Sequence, residues 1–180
     1  GSILLYWYQY SHNGKRIDVE SKEDTINGHF LHLLHGKRPS ESHIKAMHVS
    51  LILYAEHEFN ASTFTARVIA GTGSDMYSCI TGAIGALKGP KHGGANISVI
   101  KMIEDLKSNV KDTKNLSEID DYLRKVLRKE ANDKTGLVYG MGHAIYTLSD
   151  PRAMILKKMA RRLAETLGLI DDYMICEHIE

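Results

Sequence analysis

A single histidine, His92, lies between a proline and two glycines in the segment KGPKHGGAN, residues 88–96. His92 immediately precedes a predicted helix whose first turn is Gly93, Gly94, Ala95 and Asn96. The N-terminal amides and partial positive charge of that helix disfavour an imidazolium. We therefore expect His92 to be neutral and to donate a hydrogen bond, which is the state that stabilises an enol or enolate. The glycines beside it would let a ligand approach the backbone closely. On local sequence alone, a histidine that only completes a turn between two helices is the alternative.

A second histidine, His143, lies in the glycine-rich segment YGMGHAIYTLSDPRA, nine residues before Arg152. Arg152 falls in the first turn of a predicted helix, where a cation opposes the helix dipole and an acidic residue would be stabilising. One interpretation is that Arg152 and the helix N-terminus together bind a carboxylate, because a guanidinium gives a bidentate grip and the amides add donors. The alternative is a surface arginine that pairs with Asp150 or lies over Met154.

A third histidine, His57, follows an apolar helical stretch and lies among polar residues in LYAEHEFNAST. No second histidine stands four places later, so the H-E-x-x-H metal motif is not met. A histidine favoured by the dipole at a helix C-terminus is the alternative to a binding role.

Three further histidines, His29, His32 and His35, recur at a spacing of three in GHFLHLLHG. They could bind a transition metal, which would make the chain a non-catalytic metal-binding or interaction module. We expect instead a partly buried helix face without a carboxylate partner. No Ser-His-Asp arrangement can be argued, and the glycines match neither the dinucleotide fingerprint nor a phosphate-binding loop.

The composition limits the classes of partner. The 180 residues carry a formal net charge of +1 and are 43% hydrophobic, so neither nucleic acid nor an anionic membrane surface is indicated as a partner. Cys79 and Cys176 lie far apart in helical stretches, which favours buried thiols in a reducing compartment. No run approaches the roughly 20 apolar residues of a membrane span, and the first residues lack the basic region of a signal peptide. We expect a cytoplasmic protein.

Helical periodicity dominates the chain and predicts an all-α fold. The stretch that begins at Ser40 spaces its apolar residues three and four apart and is apolar on most sides, as in a helix buried in a large core or against another subunit. The other predicted helices are ASTFTARVIAGTG, started by Asn60 or Ser62; SDMYSCITGAIGALKG, with small residues that permit close packing; ANISVIKMIEDLKSNV; LSEIDDYLRKVLRKE, capped by Ser117; and a last one with Asp150 as cap, Pro151 first and Gly168 at its C-terminal cap. The segment KRIDVES is the one hairpin candidate.

Taken together, the segments LILYAEHEFNASTFTARVIAGTGSDMYSCITGAIGALKGPKHGGAN and YGMGHAIYTLSDPRA resemble the citrate synthase family, and are most similar to bacterial 2-methylcitrate synthases. The resemblance runs through essentially the whole chain. It includes three histidines in their own contexts and in the family's order, with the complete pattern G-x-G-H-x6-D-P-R. It implies an all-helical citrate synthase-like fold, with a large and a small domain that close over the substrates, and a homodimer.

The resemblance also implies a domain division near residue 90. Residues 1–90 would form part of the large domain, with dimer-core helices at about 41–72, and residues 91–180 would belong to a small domain truncated at its C-terminal end. His92 would lie at the junction, so that domain closure could bring it to the substrate.

The implied reaction joins an acyl-CoA to oxaloacetate and then hydrolyses the thioester, which releases coenzyme A. Propionyl-CoA would give 2-methylcitrate, and a housekeeping citrate synthase that uses acetyl-CoA is the alternative. Carried over residue by residue, His92 donates to the thioester oxygen as the enol forms, and His143 binds and polarises the ketone. The other residues carried over are the substrate-binding set His57, Asn60, Ser62 and Arg152, in which Ser62 orients His92, and the coenzyme A loop Val138, Tyr139, Gly140, Met141 and Gly142. No metal or redox cofactor is implied, because the coenzyme A thioester is a substrate.

Two departures from the family pattern matter. The aspartate that abstracts the α-proton would follow the helix of Arg152 in an Asn-Val-Asp type context, and the sequence stops at YMICEHIE before any such residue. Two further arginines for substrate carboxylates would also lie beyond Glu180, one of them from the other subunit. We therefore expect the 180 residues to be an internal piece of a longer enzyme and to be inactive alone. Met141 stands where many members of the family carry an aromatic residue.

Overall fold

The described part of the chain is helical throughout its regular structure. A computed structural model describes residues 1–143 and 146–180, and within them there are nine α-helices and no β-strand. They are α1 (Ser2–Asn13), α2 (Ile26–His35), α3 (Glu41–Tyr54), α4 (Ala61–Gly71), α5 (Met76–Leu87), α6 (Ala95–Asn109), α7 (Leu116–Leu127), α8 (Pro151–Leu167) and α9 (Ile170–Ile179). The all-α prediction is confirmed. None of these described helices has the length and apolar character needed to cross a membrane.

Helix ends at α3, α4 and α8 agree with the sequence predictions. The Ser40 hydroxyl accepts a hydrogen bond from the first turn of α3, and the Asn60 side chain accepts from two amides of α4. Pro151 is the first residue of α8, where its missing N–H removes no intrahelical hydrogen bond. Gly168 follows the last residue of α8 with a φ of 71°, the left-handed conformation expected just past a helix end.

Two local predictions are wrong. Asn115 and not Ser117 caps α7, because the Asn115 side chain accepts from the amide of Ser117 and the helix already begins at Leu116. Asparagine and serine are equally good caps, so the local signal could not separate them. The hairpin candidate KRIDVES, residues 15–21, contains no strand. An alternating segment becomes a strand only where another strand pairs with its backbone, and the described residues offer none.

The first of two compact units consists of Gly1–Ala55 and Pro151–Gly168. Within it α1 packs on α2, α2 on α3, and α3 on α8. The buried amide of Gln9 on α1 donates to the carbonyls of Leu33 and Leu34 at 3.3 and 2.8 Å. These carbonyls lie in the last turn of α2, where no intrahelical amide reaches them, so Gln9 satisfies acceptors that would be costly to bury unpaired.

The second unit consists of Glu56–Asp150 and Leu169–Glu180, and its hydrophobic core lies among α6, α7 and α9. Tyr122 of α7 donates its phenolic hydrogen to Asp105 of α6 at 2.6 Å. Burial, followed by this contact with Asp105, raises the pKa of Tyr122, so the phenol keeps its hydrogen at neutral pH and the two helices stay linked. The buried members of the core are Leu106, Val110, Ile119, Tyr122, Val126 and Ile175.

Small residues bring α4 and α5 together in the second unit. A Cβ atom added at Gly82 of α5 would collide with the side chain of Ile69 on α4. The prediction that the small residues of this segment permit close helix packing therefore holds at Gly82.

The domain division expected near residue 90 stays a prediction. Contacts within the 180 residues place the boundary of the second unit at Glu56, and residue 90 lies inside that unit. The expected large and small domains are those of a complete enzyme, whereas the two compact units are defined by contacts within the 180 residues. The compact units therefore do not test the expected domain boundary.

Replacing Ile119 by alanine should destabilise the second unit by about 2–5 kcal/mol. Ile119 is 0% exposed in the core cluster, and its truncation would leave a cavity. A urea titration followed by far-ultraviolet circular dichroism should show a lower midpoint. Leu116→Ala, one turn earlier on the same helix and 52% exposed, is the matched control and should shift the midpoint little. Equal shifts for the two variants would contradict this placement of the core.

Candidate active site

The imidazole of His92 is held by the hydroxyl of Ser62 in the first turn of α4. The Ser62 Oγ atom lies 2.8 Å from Nε2 of His92 and 2.9 Å from the carbonyl oxygen of Ala83 on α5. A serine hydroxyl has one hydrogen, so it donates either to the carbonyl or to Nε2. If it donates to the carbonyl, Nε2 must carry the imidazole proton; if it donates to Nε2, the proton lies on Nδ1. The orientation of one hydroxyl therefore selects the tautomer of neutral His92.

The turn that presents His92 uses its amides internally. The amides of His92 and Gly94 donate to the carbonyl of Gly89 at 3.0 and 3.4 Å. The amide of Gly93 donates to the carbonyl of Leu87 at 3.0 Å. Helix α6 begins only after Gly94, so the expectation that Gly93 and Gly94 form its first turn is wrong. Their amides are not the unpaired donors that the sequence predicted beside His92.

The two glycines after His92 serve the packing of this turn. A Cβ atom at Gly93 would collide with the carbonyl oxygen of Leu87, and one at Gly94 would lie 2.9 Å from the Cα atom of Pro90. Both obstacles are backbone atoms, which cannot swing aside as a side chain can. The glycines therefore let the chain close on itself, whereas the sequence suggested that they make room for a ligand.

His57 and His143 form a second histidine pair. Their ring centroids are 5.3 Å apart with an interplanar angle of 65°, and Tyr146 lies beside both rings. Tyr146 was not predicted as a site residue, although an aromatic residue three positions after a motif histidine is a recognisable signal. The intervening Ala144 and Ile145 of the quoted motif lie outside the described residues.

The connection that carries His57 is held by contacts from α4. Asn60 caps α4, and the Arg67 guanidinium lies over the ring of Phe59 at 4.7 Å from its centroid, a cation–π contact. Glu58 has a φ of 53°, which is uncommon for a residue with a side chain. The packing on either side of Glu58 therefore maintains an unfavourable backbone conformation next to His57.

The tautomer of His143 follows from its own hydrogen bond. The backbone amide of Tyr146 donates to Nδ1 of His143 at 3.2 Å. Because a backbone N–H cannot accept, Nδ1 is unprotonated and the neutral ring carries its proton on Nε2. Nε2 is thus the donor nitrogen of His143.

The loop predicted to meet coenzyme A, Val138 to Gly142, is anchored at its beginning. The side chain of Val138 packs against the core cluster, and the Tyr139 phenol donates to the Asp133 carboxylate at 2.5 Å. The hydrogen bond from Tyr139, followed by that from Thr135, lowers the pKa of Asp133 below its ordinary value of 3.8. The charged carboxylate therefore contributes its full stabilisation when the pH is above the ordinary pKa of aspartate. That stabilisation is lost as the pH falls through the lowered pKa of Asp133.

Arg152 is the second residue of α8 and is half-buried. It belongs to the first compact unit, whereas His57, His92 and His143 belong to the second. Its place in one site with the histidines stays a prediction.

The histidine stripe on α2 is used in hydrogen bonds within the fold. His29 bonds the hydroxyls of Ser2 and Ser21 at 2.9 and 2.8 Å, and His32 bonds the carboxylate of Glu23 at 3.2 Å. The expectation of a face without a carboxylate partner is therefore wrong for His32. Among residues 1–143 and 146–180, no group of three or more His, Cys, Asp or Glu side chains could hold a metal ion.

Comparison with known protein families assigns the chain to a family. The family model described as "Citrate synthase, C-terminal domain" matches residues 1–180. The chain belongs to the citrate synthase family. It is 55% identical over 167 residues to a 2-methylcitrate synthase of Shewanella oneidensis, which covers 93% of this chain and 41% of that relative. It is also 44% identical over 163 residues to citrate synthase 2 of Bacillus subtilis, covering 90% of this chain and 41% of that relative.

Solved citrate synthases share the helical fold. The enzyme from Thermotoga maritima matches with a TM-score of 0.76 and 36% identity, covering 99% of this chain and 45% of its own. The enzyme from Thermoplasma acidophilum, solved as a ternary complex with carboxymethyl coenzyme A and oxaloacetate, matches with a TM-score of 0.79 and 30% identity, covering 99% of this chain and 44% of its own. The chain thus spans less than half the length of these relatives.

At neutral pH, the unprotonated nitrogen of His143 should be Nδ1. Long-range proton–nitrogen correlation NMR distinguishes the two neutral tautomers of an imidazole, and a His143→Gln variant assigns the signal. His35, which is exposed, serves as the comparison. A proton found on Nδ1 of His143 would contradict the hydrogen bond from Tyr146.

Proposed function

We propose that the full-length protein condenses an acyl-CoA, propionyl-CoA, with oxaloacetate and releases coenzyme A and 2-methylcitrate. The observation that carries the proposal is the pairing of the motif histidines: His92 with Ser62, and His57 with His143. Membership of the citrate synthase family and the 55% identity to a 2-methylcitrate synthase support it.

In the proposed reaction His92 stabilises the enol of the acyl-CoA. For its Nδ1 to donate to the thioester oxygen, the hydroxyl of Ser62 must donate to Nε2, which is one of the two arrangements that the 2.8 Å contact allows. An aspartate outside the 180 residues removes the α-proton. The enol carbon then attacks the ketone of oxaloacetate, and the proton on Nε2 of His143 meets the developing alkoxide.

Hydrolysis completes the reaction. Water attacks the thioester carbonyl of the condensed intermediate, the carbon–sulfur bond breaks, and coenzyme A leaves as a thiol. Hydrogen bonds and charge handle both the electrophile and the enol in this scheme, and the coenzyme A thioester is consumed as a substrate.

Oxaloacetate is proposed to bind through His57, Arg152 and Asn60. The side-chain oxygen of Asn60 already accepts from the amides of Ser62 and Thr63 at 3.0 and 3.1 Å. Only its NH2 group therefore remains suited to contact a substrate oxygen. The guanidinium of Arg152 gives a bidentate grip on a carboxylate, and its position at the start of α8 adds the helix dipole.

The loop of residues 138–142 is proposed to hold the nucleotide end of the acyl-CoA. The Val138 side chain packs against the core, whereas Met141 is 42% exposed and Tyr139 is partly exposed. These exposed side chains could pack on the adenine. A small domain that begins near residue 91 would close over this site.

Apolar side chains on α3 and α4 support a homodimer. Leu51, Ile52 and Tyr54 of α3, with Phe64 and Val68 of α4, are 43% to 67% exposed. Exposed apolar side chains that neighbour one another on a helix are typical of an interface. We propose that a second copy covers the dimer-core helices at about 41–72, in a cytoplasmic enzyme.

An acetyl-CoA-specific citrate synthase is the second candidate function, and the 44% identity to citrate synthase 2 of Bacillus subtilis favours it. One methylene in an apolar pocket discriminates by only about 1–3 kcal/mol, so the two reactions differ modestly in energy.

The full-length protein should turn over propionyl-CoA with a kcat/KM roughly 10-fold or more above that for acetyl-CoA. Release of coenzyme A in the presence of oxaloacetate measures both values. A preference for acetyl-CoA would assign the second candidate, and no release with either thioester would contradict the proposed chemistry. The isolated 180 residues are the matched comparison and should release no coenzyme A, because the proposed base is not among them.

Replacing His92 by alanine in the full-length protein should lower kcat about 10²–10³-fold, the usual cost of one donor to a developing oxyanion. Ser62→Ala should lower kcat as well, because the imidazole then loses the contact that orients it. Lys91→Ala, an exposed neighbour in the same turn, is the control and should keep kcat near the wild-type value. Equal activity of His92→Ala and Lys91→Ala would rule out a catalytic imidazole.

A further inference from the structure

The Asp133 carboxylate lies outside every motif singled out in the sequence, yet both of its oxygens are engaged. Oδ2 accepts the Tyr139 phenol at 2.5 Å, while Oδ1 accepts the Thr135 hydroxyl at 2.7 Å and the Thr135 amide at 3.1 Å. The oxygen of the Thr135 hydroxyl in turn accepts a hydrogen bond from the amide of Leu137 at 3.3 Å. One carboxylate thus connects the turn after α7 to the first aromatic residue of the loop at 138–142.

The loop needs such a connection because its own backbone is permissive. Gly140 and Gly142 have φ values of 87° and 80°, a region that glycine occupies without strain and from which it moves easily. Ordering each residue costs roughly 1–2 kcal/mol of conformational entropy. A ligand that meets an unordered loop must supply that energy from its own contacts.

The loop also makes apolar contacts with the rest of the second unit. Val138 packs against the core of the second unit, and a Cβ atom at Gly140 would lie 3.1 Å from the Val99 side chain on α6. These contacts hold the backbone of the loop against the core. They do not fix the orientation of the Tyr139 side chain. The hydrogen bond from the Tyr139 phenol to the Asp133 carboxylate fixes that orientation. Hydrogen bonds to an ionised group are stronger than those between neutral groups.

We infer that Asp133 is a positioning residue: its carboxylate holds the Tyr139 phenol and thereby pre-orders the loop of residues 138–142 for the nucleotide end of an acyl-CoA. The inference rests on the proposed function, since that function brings the acyl-CoA to this loop. Asp133 itself touches no substrate in this arrangement. It acts on the loop through Tyr139.

The test is steady-state kinetics of the full-length protein with Asp133→Ala, Tyr139→Phe and the double variant. Each change should raise the KM for the acyl-CoA on the order of three- to tenfold, with the KM for oxaloacetate and kcat nearly unchanged. The double variant should be no worse than Asp133→Ala, because removing the carboxylate already removes the hydrogen bond from Tyr139. Asp133→Asn keeps an acceptor oxygen and should recover part of the loss.

Asp112→Ala is the matched control. Asp112 is an exposed aspartate of the same unit, and its carboxylate accepts from the amide of Lys114 in a local turn, 2.9 Å away. Its KM for the acyl-CoA should equal that of the wild type. Amide hydrogen exchange of residues 138–142 should quicken in Asp133→Ala and not in Asp112→Ala.

The outcomes separate the inference from the function it rests on. Normal turnover with an unchanged KM for the acyl-CoA in Asp133→Ala would overturn the inference alone. A raised KM in Tyr139→Phe with an unchanged KM in Asp133→Ala would also overturn it, because the phenol would then contact the ligand directly. Absence of turnover in the wild type would contradict the proposed function, and the inference with it.

Discussion

The hydrogen bond between Ser62 and His92 is the contact on which the candidate site depends. The hydroxyl lies within 2.9 Å of both the His92 imidazole and the Ala83 carbonyl, so one oxygen links α4, α5 and the turn before α6. The hydroxyl has one hydrogen, which it donates either to the carbonyl or to the imidazole. The helices therefore do more than carry the histidine, because they place beside it the hydroxyl whose orientation selects the nitrogen that can donate.

The site is presented by connections, and the helices serve as its frame. The turn at His92 closes with backbone hydrogen bonds and with glycines that admit neighbouring backbone atoms, and the connection at His57 holds Glu58 in a left-handed conformation. Such conformations persist only where the surroundings hold them. Close packing of α4 on α5 around Gly82 provides that rigidity on one side, and the Arg67 contact with Phe59 provides it on the other.

The loop of residues 138–142 is also held in place by its surroundings, here by contacts of two side chains. A core side chain, Val138, holds one end, and a surface carboxylate, Asp133, holds the adjacent phenol. The donor nitrogen of His143, a residue later, is then selected by the amide of Tyr146. Local backbone groups and one charged side chain thus arrange a segment whose glycines would otherwise leave it unordered.

The sequence by itself determined most of the helices, the caps at Ser40 and Asn60, and the membership of the citrate synthase family. Ser40, Asn60 and Pro151 could be read from local patterns, because a cap depends on residues within one turn. The tertiary structure decided the rest: that His57 meets His143 and Tyr146, and that Gly93 serves packing. The contacts of His57 with His143 and Tyr146 join residues far apart in the chain, and the closure of the turn at Gly93 depends on a carbonyl of the preceding helix. Both follow from how the chain packs, which periodicity does not encode.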